Sequence, residues 1–284
     1  MPDSPPAEAV AVPAAVKPLY LQHLKLGEPI ALDEGGKCDV WELEVPFDEK
    51  CLSDWAKRFR QAYCLDGDLD ALREGTGKSR AEFLIDLVFP DKSTPPGPAV
   101  RSGDFAELLI ADYVEYLLGY WVPRSKYAEK GSRDESVKGV DIVGFKLKSQ
   151  DKPEPGDEML TFEVKAQLSG GKYNDRLQVA VNDSGKDYLR AGETLAAMKR
   201  RMYVAGKVEE MKTVQRFQDA VDRPYVLLSG AAAVLSDDAF DPEVLKSTTT
   251  VDHNNTKRLS LIAVKGKDLM KLAHALYRRA ADEA

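Results

Sequence analysis

What this chain has little of narrows its class before any motif is read. No apolar run approaches the roughly 20 residues of a membrane-crossing helix, so a soluble protein without membrane contact is expected. The opening MPDSPPAEAVAVPAAVKP lacks the basic stretch of a secretory signal, and its prolines interrupt the apolar residues. Residues 1–16 are expected to form a disordered tail. Cysteine is scarce: Cys38, Cys51 and Cys64 are an odd set without C-x-x-C spacing. Neither a zinc site nor a disulfide framework is indicated, and a reducing cytoplasm is the expected setting. His23, His253 and His274 are dispersed, which gives no support to a histidine metal site or a Ser/His/Asp triad. VDHNN around His253 reads as a turn. An excess of positive charge is missing too. The net charge is −7 and the pI is near 5.2, which argues against nucleic-acid binding by bulk electrostatics. A local basic groove around acidic metal ligands remains compatible with that balance. The densest basic stretches are Lys199 to Arg201 and the end of the chain with Lys265, Lys267, Lys271, Arg278 and Arg279. Both read as solvated helix faces.

What is present is an alternation of apolar patterns. With 284 residues and 43% hydrophobic content, the chain can bury one large core or two ordinary ones. LYLQHLKLG and CDVWELEVPFD read as strands, EKCLSDWAKRFRQAYC as an amphipathic helix, and SRAEFLIDLVFP as a helix or strand ending at Pro90. PDKSTPPGPAV, with four prolines and a glycine, reads as a loop or linker. A boundary is expected there, between a small N-terminal α/β domain over residues 17–98 and a second domain over 99–284. SGDFAELLIADYVEYLLGYW predicts a helix with Ser102 as N-cap and Gly119 as stop. A strand is expected around YWVPRSKY, then a charged loop. VDIVGFKL and MLTFEVKAQL read as strands joined by a polar hairpin segment. A long helical stretch over about residues 191–221, strands at PYVLLSG and RLSLIAVKG, and a final helix from Lys267 complete the pattern. The expected fold class is α/β, a layer sandwich on a mixed sheet.

The most motif-like string, GTGKS at Gly75 to Ser79, fails as a P-loop. Leu72 stands where the first glycine of G-x-x-x-x-G-K-[ST] is required, and DLDALRE before it looks helical rather than extended. A turn between helices is expected.

The second candidate is LTFEVKAQ, residues 160 to 167. Leu160, Phe162 and Val164 alternate with Thr161, Glu163 and Lys165, so Glu163, Lys165 and Gln167 share one side of a strand. Upstream, GVDIVGF sets Asp141 at the start of another short strand. If the two strands pair as a hairpin, Asp141 and Glu163 come close, and two carboxylates at close range repel unless a cation lies between them. Mg²⁺ suits such a pair. On the preceding helix, Gly103, Ala111, Val114 and Leu118 lie within about 40° of Glu107 at 100° per residue. Asp104, Asp112 and Glu115 form a separate polar stripe. Glu107 thus points with the apolar face and needs a metal or an internal lysine or arginine as partner.

The order Glu107, Asp141, Glu163-x-Lys165 across a helix and two strands resembles the PD-(D/E)xK nuclease superfamily, with Val140 where the name's proline would stand. The resemblance implies a mixed-sheet, restriction-endonuclease-like core. It implies that Asp141 and Glu163 ligate Mg²⁺ (or Mn²⁺), that Glu107 completes the metal shell, and that Lys165 positions or activates the attacking water. SGDFAELLIADYVEYLLG, KGVDIVGFKL, FEVKAQLS and DSGKDYLRAGETLAAMKRR together resemble the HamA family of the Hachiman anti-phage defence system. That likeness implies a DNA nuclease effector restrained by a HamB-like superfamily 2 helicase until foreign or damaged DNA is sensed. The alternative is a non-catalytic adaptor that keeps the nuclease fold. Trp55, Phe59 and Tyr63 form an aromatic stripe that reads as core first and as partner contact second.

Overall fold

The computed structural model describes residues 16–45, 48–124, 126–170 and 175–284; nearly all of the expected tail lies outside them. Seven strands form one sheet: β1 (Leu24–Leu26), β2 (Ile30–Ala31), β3 (Lys37–Leu43), β4 (Ile142–Lys146), β5 (Glu158–Gln167), β6 (Val226–Ser236) and β7 (Leu259–Gly266). Their order is β1-β3-β7-β6-β5-β4, with β2 attached to β3. The three central pairings are parallel and the outer ones, β1 with β3 and β4 with β5, are antiparallel. The sheet is mixed, as expected. Parallel strands covered on both faces lose strict alternation, which is why Met159 to Val164 are all buried.

The described helices are α1 (Glu49–Tyr63), α2 (Leu69–Arg73), α3 (Arg80–Phe83), α4 (Gly97–Asp112), α5 (Arg176–Ser184), α6 (Asp187–Val204), α7 (Val208–Gln215), α8 (Pro242–Lys246) and α9 (Leu269–Asp282). One face of the sheet, carrying Phe162, Val164, Val234 and Val264, packs on α1, α4 and α9. On the other face Ala231, Ala233 and Ala263 pack on α5, while Val143, Phe145 and Met159 pack on Leu195, Met198 and Val214 of α6 and α7. The small residues of β6 are a packing requirement. A Cβ on Gly230 would lie 2.2 Å from the Phe162 ring.

Several expected boundaries move, each for a local reason. α4 starts at Gly97 rather than after Ser102, because Pro98 in its first turn fits helical geometry. It continues as one π turn, Tyr113–Leu117, and stops where Gly119 takes a φ of 74°. The strand expected around YWVPRSKY shrinks to a single bridge from Trp121 to Phe145, since Pro123 has no N–H to give a ladder. LYLQHLKLG opens with a 3-10 turn, Leu19–His23, before the three residues of β1. The long helix expected over 191–221 begins at Asp187 and is divided into α6 and α7, with left-handed Gly206 (φ 71°) between them, and α5 precedes it as a helix not expected from the sequence. Gly75 to Ser79 is a turn between α2 and α3, where Ser79 caps α3 with Glu82; Lys78 pairs with Asp86.

The segments on either side of residue 98 share one sheet and one core. β3 pairs with β7, Phe59 packs edge-on against Tyr277, and the Tyr63 hydroxyl donates to Asp104 at 2.5 Å. Trp55, Phe59 and Tyr63 are all buried, and Trp55 stacks on Tyr20. The aromatic stripe is core.

Candidate active site

The β4–β5 hairpin is present, with Ile142 opposite Phe162. Asp141 sits one residue before β4, where pairing ends, so its carboxylate lies at the sheet edge. One oxygen accepts the Val164 N–H at 3.0 Å; the other faces the Lys126 ammonium at 3.4 Å. Glu163 projects from β5 beneath α6 and is 2% exposed. Arg190 of α6 comes within 3.1 Å of its Oε1, but not in line for a hydrogen bond, and that oxygen has no hydrogen-bond partner. Arg190 also binds Asp187 at 2.6 Å. Asp187 is buried as well, and its Oδ2 has no hydrogen-bond partner either.

Lys165 lies one turn of the pleat beyond Glu163, 3.5 Å from its Oε2 and 3.0 Å from Asp183 of α5. Gln167, at the end of β5, donates to Ser169 O and accepts from Arg176. Glu107 approaches from α4, the helix on the opposite face of the sheet. It accepts from Lys126 and from the Tyr127 hydroxyl, both at 2.8 Å. Lys126 thus links Glu107 to Asp141, whereas Glu163 and Lys165 meet Asp183, Asp187 and Arg190 on the other face. The acids of the separate stripe are themselves enclosed: Asp104 by Tyr63 and Lys130, Asp112 by Tyr20 and Arg124, and Glu115 by Arg124.

The electrostatics follow from burial. Desolvation pushes Glu163 up to about 8, and Asp141 and Asp187 add repulsion that Arg190 and Lys165 do not cancel. Asp187 rises to about 6, again chiefly through burial. Burial lifts Glu107 to about 7 against the pull of Lys126, with Asp141 and Asp104 contributing. For Lys165, burial works against the charge, but Asp183, Asp141 and Glu163 outweigh it and raise its value. Lys165 is therefore held as a cation. Acids raised this far on the two sides of one sheet edge are under-neutralised, a pattern common at functional sites.

Among the described residues no three His, Cys, Asp or Glu side chains form a ready-made metal cage. Lys126 and Arg190 are drawn to those carboxylates instead. The donor types nevertheless suit Mg²⁺: hard carboxylate oxygens from Asp141 and Glu163, with Asp187 beside them and two buried oxygens lacking hydrogen bonds. Asp183, Asp187, Arg190 and Lys126 were not legible as site residues from E-x-K alone. A signal was present in DSGKDYLR, where two acids and an arginine recur at i, i+4 and i+7.

Fold and site together define an α/β protein whose mixed sheet ends in a buried ionic cluster of acids and bases. None of its described helices is long and apolar enough to cross a membrane. The chain belongs to the HamA family, whose model matches residues 19–280, and so to the components of Hachiman anti-phage defence. No curated protein and no solved structure matches it.

Proposed function

We propose that this chain is a metal-dependent DNA nuclease, the cytoplasmic effector of a two-component defence complex, restrained by a HamB-like superfamily 2 helicase and released when foreign or damaged DNA is sensed. The observation that carries the reading is the grouping of Asp141, Glu163 and Lys165 at one sheet edge, with Glu163 too buried and too crowded by acids to ionise comfortably without a cation.

Asp141 and Glu163 would hold Mg²⁺ (Mn²⁺ as substitute), with Asp187 beside them and Glu107 joining from α4 when Lys126 releases it. When bound, the ion would supply Lewis-acid polarisation of a phosphodiester oxygen and a lower pKa for a water. Asp141 is aimed by the Val164 N–H, so its position follows the strand rather than a loop. Lys165, held charged between Asp183 and Glu163, offers an ammonium for the negative charge that develops on phosphorus oxygens. Arg190 keeps Glu163 and Asp187 apart from bulk water while balancing part of their charge. The acidic overall balance, −7, fits an enzyme that depends on a partner to deliver DNA. All of these side chains lie after residue 98, so the chemistry is assigned to 99–284, and 17–98 to the shared core and to holding the helicase.

The test is plasmid cleavage by the purified chain with Mg²⁺ or EDTA, with and without the helicase. Mg²⁺-dependent cleavage lost in Glu163→Gln and Lys165→Ala is the expected result. Cleavage that survives both substitutions, or that never appears under any of these conditions, overturns the reading and favours the non-catalytic adaptor.

A further inference from the structure

Lys126 is an unusual neighbour for a site that is short of positive charge. Its ammonium lies 2.8 Å from Glu107 Oε2, 3.4 Å from Asp141 Oδ1 and 3.5 Å from the Asp141 carbonyl oxygen. Glu107 from α4 and Asp141 from the sheet edge thus offer three oxygens to the three donors of one ammonium. The side chains are nearly closed to water, with Lys126 and Asp141 each 16% exposed and Glu107 15%. The Tyr127 hydroxyl donates to the same Glu107 oxygen at 2.8 Å, from the residue next to Lys126. This is a site built for a cation, and the cation in it belongs to the chain.

Lysine is suited to a place that must be vacated. Its charge is a point on a flexible four-carbon stem, not a planar fork fixed by paired hydrogen bonds. Lys126 lies in the connection between the π turn after α4 and β4, where the only regular element among the described residues is the 3-10 turn Tyr127–Glu129. Arginine fills the comparable role for the neighbouring acids Asp112 and Glu115, where Arg124 binds both. Two residues apart, the chain uses the rigid cation for an ion pair away from Asp141 and the movable one beside it.

We propose that Lys126 is a tethered cation that competes with the divalent metal for Asp141 and Glu107. The proposal rests on the metal-dependent reading above. With Lys126 in place, Asp141 is partly neutralised and Glu107 is withheld from the metal shell. Loading requires the ammonium to withdraw, and Glu107 then becomes a ligand. A restraint of this kind acts inside the chain and lowers idle metal occupancy without any partner. A structural counter-ion would behave differently: its loss would destabilise the fold and leave metal affinity unchanged or weaker.

The test is Mn²⁺ binding to the full chain by calorimetry, comparing wild type, Lys126→Met and Lys126→Met with Glu107→Gln. Lys126→Met should bind Mn²⁺ about tenfold more tightly, and adding Glu107→Gln should remove the gain. Equal or weaker Mn²⁺ affinity in a folded Lys126→Met protein overturns the proposal. If that variant fails to fold, the wild type decides by NMR with ¹³Cε-labelled lysine, the Lys126 signal being assigned by its absence in Lys126→Arg. Mg²⁺ at saturation should shift that signal as the ammonium leaves its two acids. A signal that stays in place while metal binds elsewhere on the spectrum overturns the competition alone. Absence of any Mn²⁺ or Mg²⁺ binding overturns the metal-dependent reading and this inference with it.

Discussion

The carboxylate of Asp141 is tied to β5 by the backbone N–H of Val164 at 3.0 Å, one residue beyond Glu163. The spacing of the two acids is therefore inherited from strand register, the most rigid feature of the sheet. Asn at position 141 keeps an oxygen for that N–H; Ala leaves the donor buried and unpaired. Asp141→Ala should cost about 1–3 kcal/mol, whereas Asp141→Asn should melt within about 1 kcal/mol of wild type. Thermal denaturation of both proteins without metal checks this, and equal losses would show that the N–H finds another partner.

Glu163 sets a pH dependence of stability whose sign can be worked out. Its ordinary value is 4.5 and its folded value about 8, so between these the folded state holds a proton that the unfolded state has released. The metal-free protein should lose stability as pH rises through that window. Asp187 at about 6 and Glu107 at about 7 act in the same direction. Glu163→Gln should flatten the loss only partly, and should raise Tm by roughly 2–5 °C at pH 8.5. Melting curves from pH 5 to 9 test this; a wild-type Tm that climbs with pH refutes it.

Arg190 is the counter-ion of two buried acids at once. Arg190→Met leaves Asp187 and Glu163 without it and should destabilise by on the order of 2–3 kcal/mol, less than for a fully enclosed pair because Arg190 is partly exposed. Adding Asp187→Asn to Arg190→Met should recover part of the loss. Urea denaturation at pH 8 measures both, and an additive further loss in the double variant would argue against the pairing.

Much of this arrangement could be read from the sequence, and the rest could not for identifiable reasons. The mixed sheet, the hairpin joining Asp141 to Glu163, the helix stop at Gly119 and the turn at GTGKS follow from period and turn chemistry, which are local. The side of approach of Glu107 was not legible. Helical angles place Glu107 with the apolar face, but α4 is buried on nearly every side, so an apolar direction no longer identifies the sheet. Lys126 fell in the expected strand YWVPRSKY, of which only the Trp121–Phe145 bridge forms, so its position beside the acids had no periodic signal. Asp187 and Arg190 entered the site only because α6 crosses over β5, a tertiary fact with no counterpart in an E-x-K string.

Lys78 provides the contrasting case. It pairs with Asp86 on the surface of a turn between two helices, where solvent screens the contact. Lys78→Ala should leave Tm within about 1–2 °C of wild type and leave nuclease activity unchanged. Calorimetric titration with ATP should show no binding in either protein. ATP binding that disappears in Lys78→Ala would reinstate the turn as a nucleotide site.

The pairing of β3 with β7 joins Val40 to Ala263, strands from opposite ends of the chain. On a ribosome, β3 emerges early and must wait for nearly the whole of the remaining chain before its neighbour exists. The β4–β5 hairpin is complete long before, but Glu163 and Lys165 then lie on an unfinished sheet without β7 beside β6. Interrupted synthesis would thus yield fragments whose acids are never brought into the finished arrangement. For the nuclease activity proposed above, a fold that matures only when β7 arrives would spare the host idle cleavage.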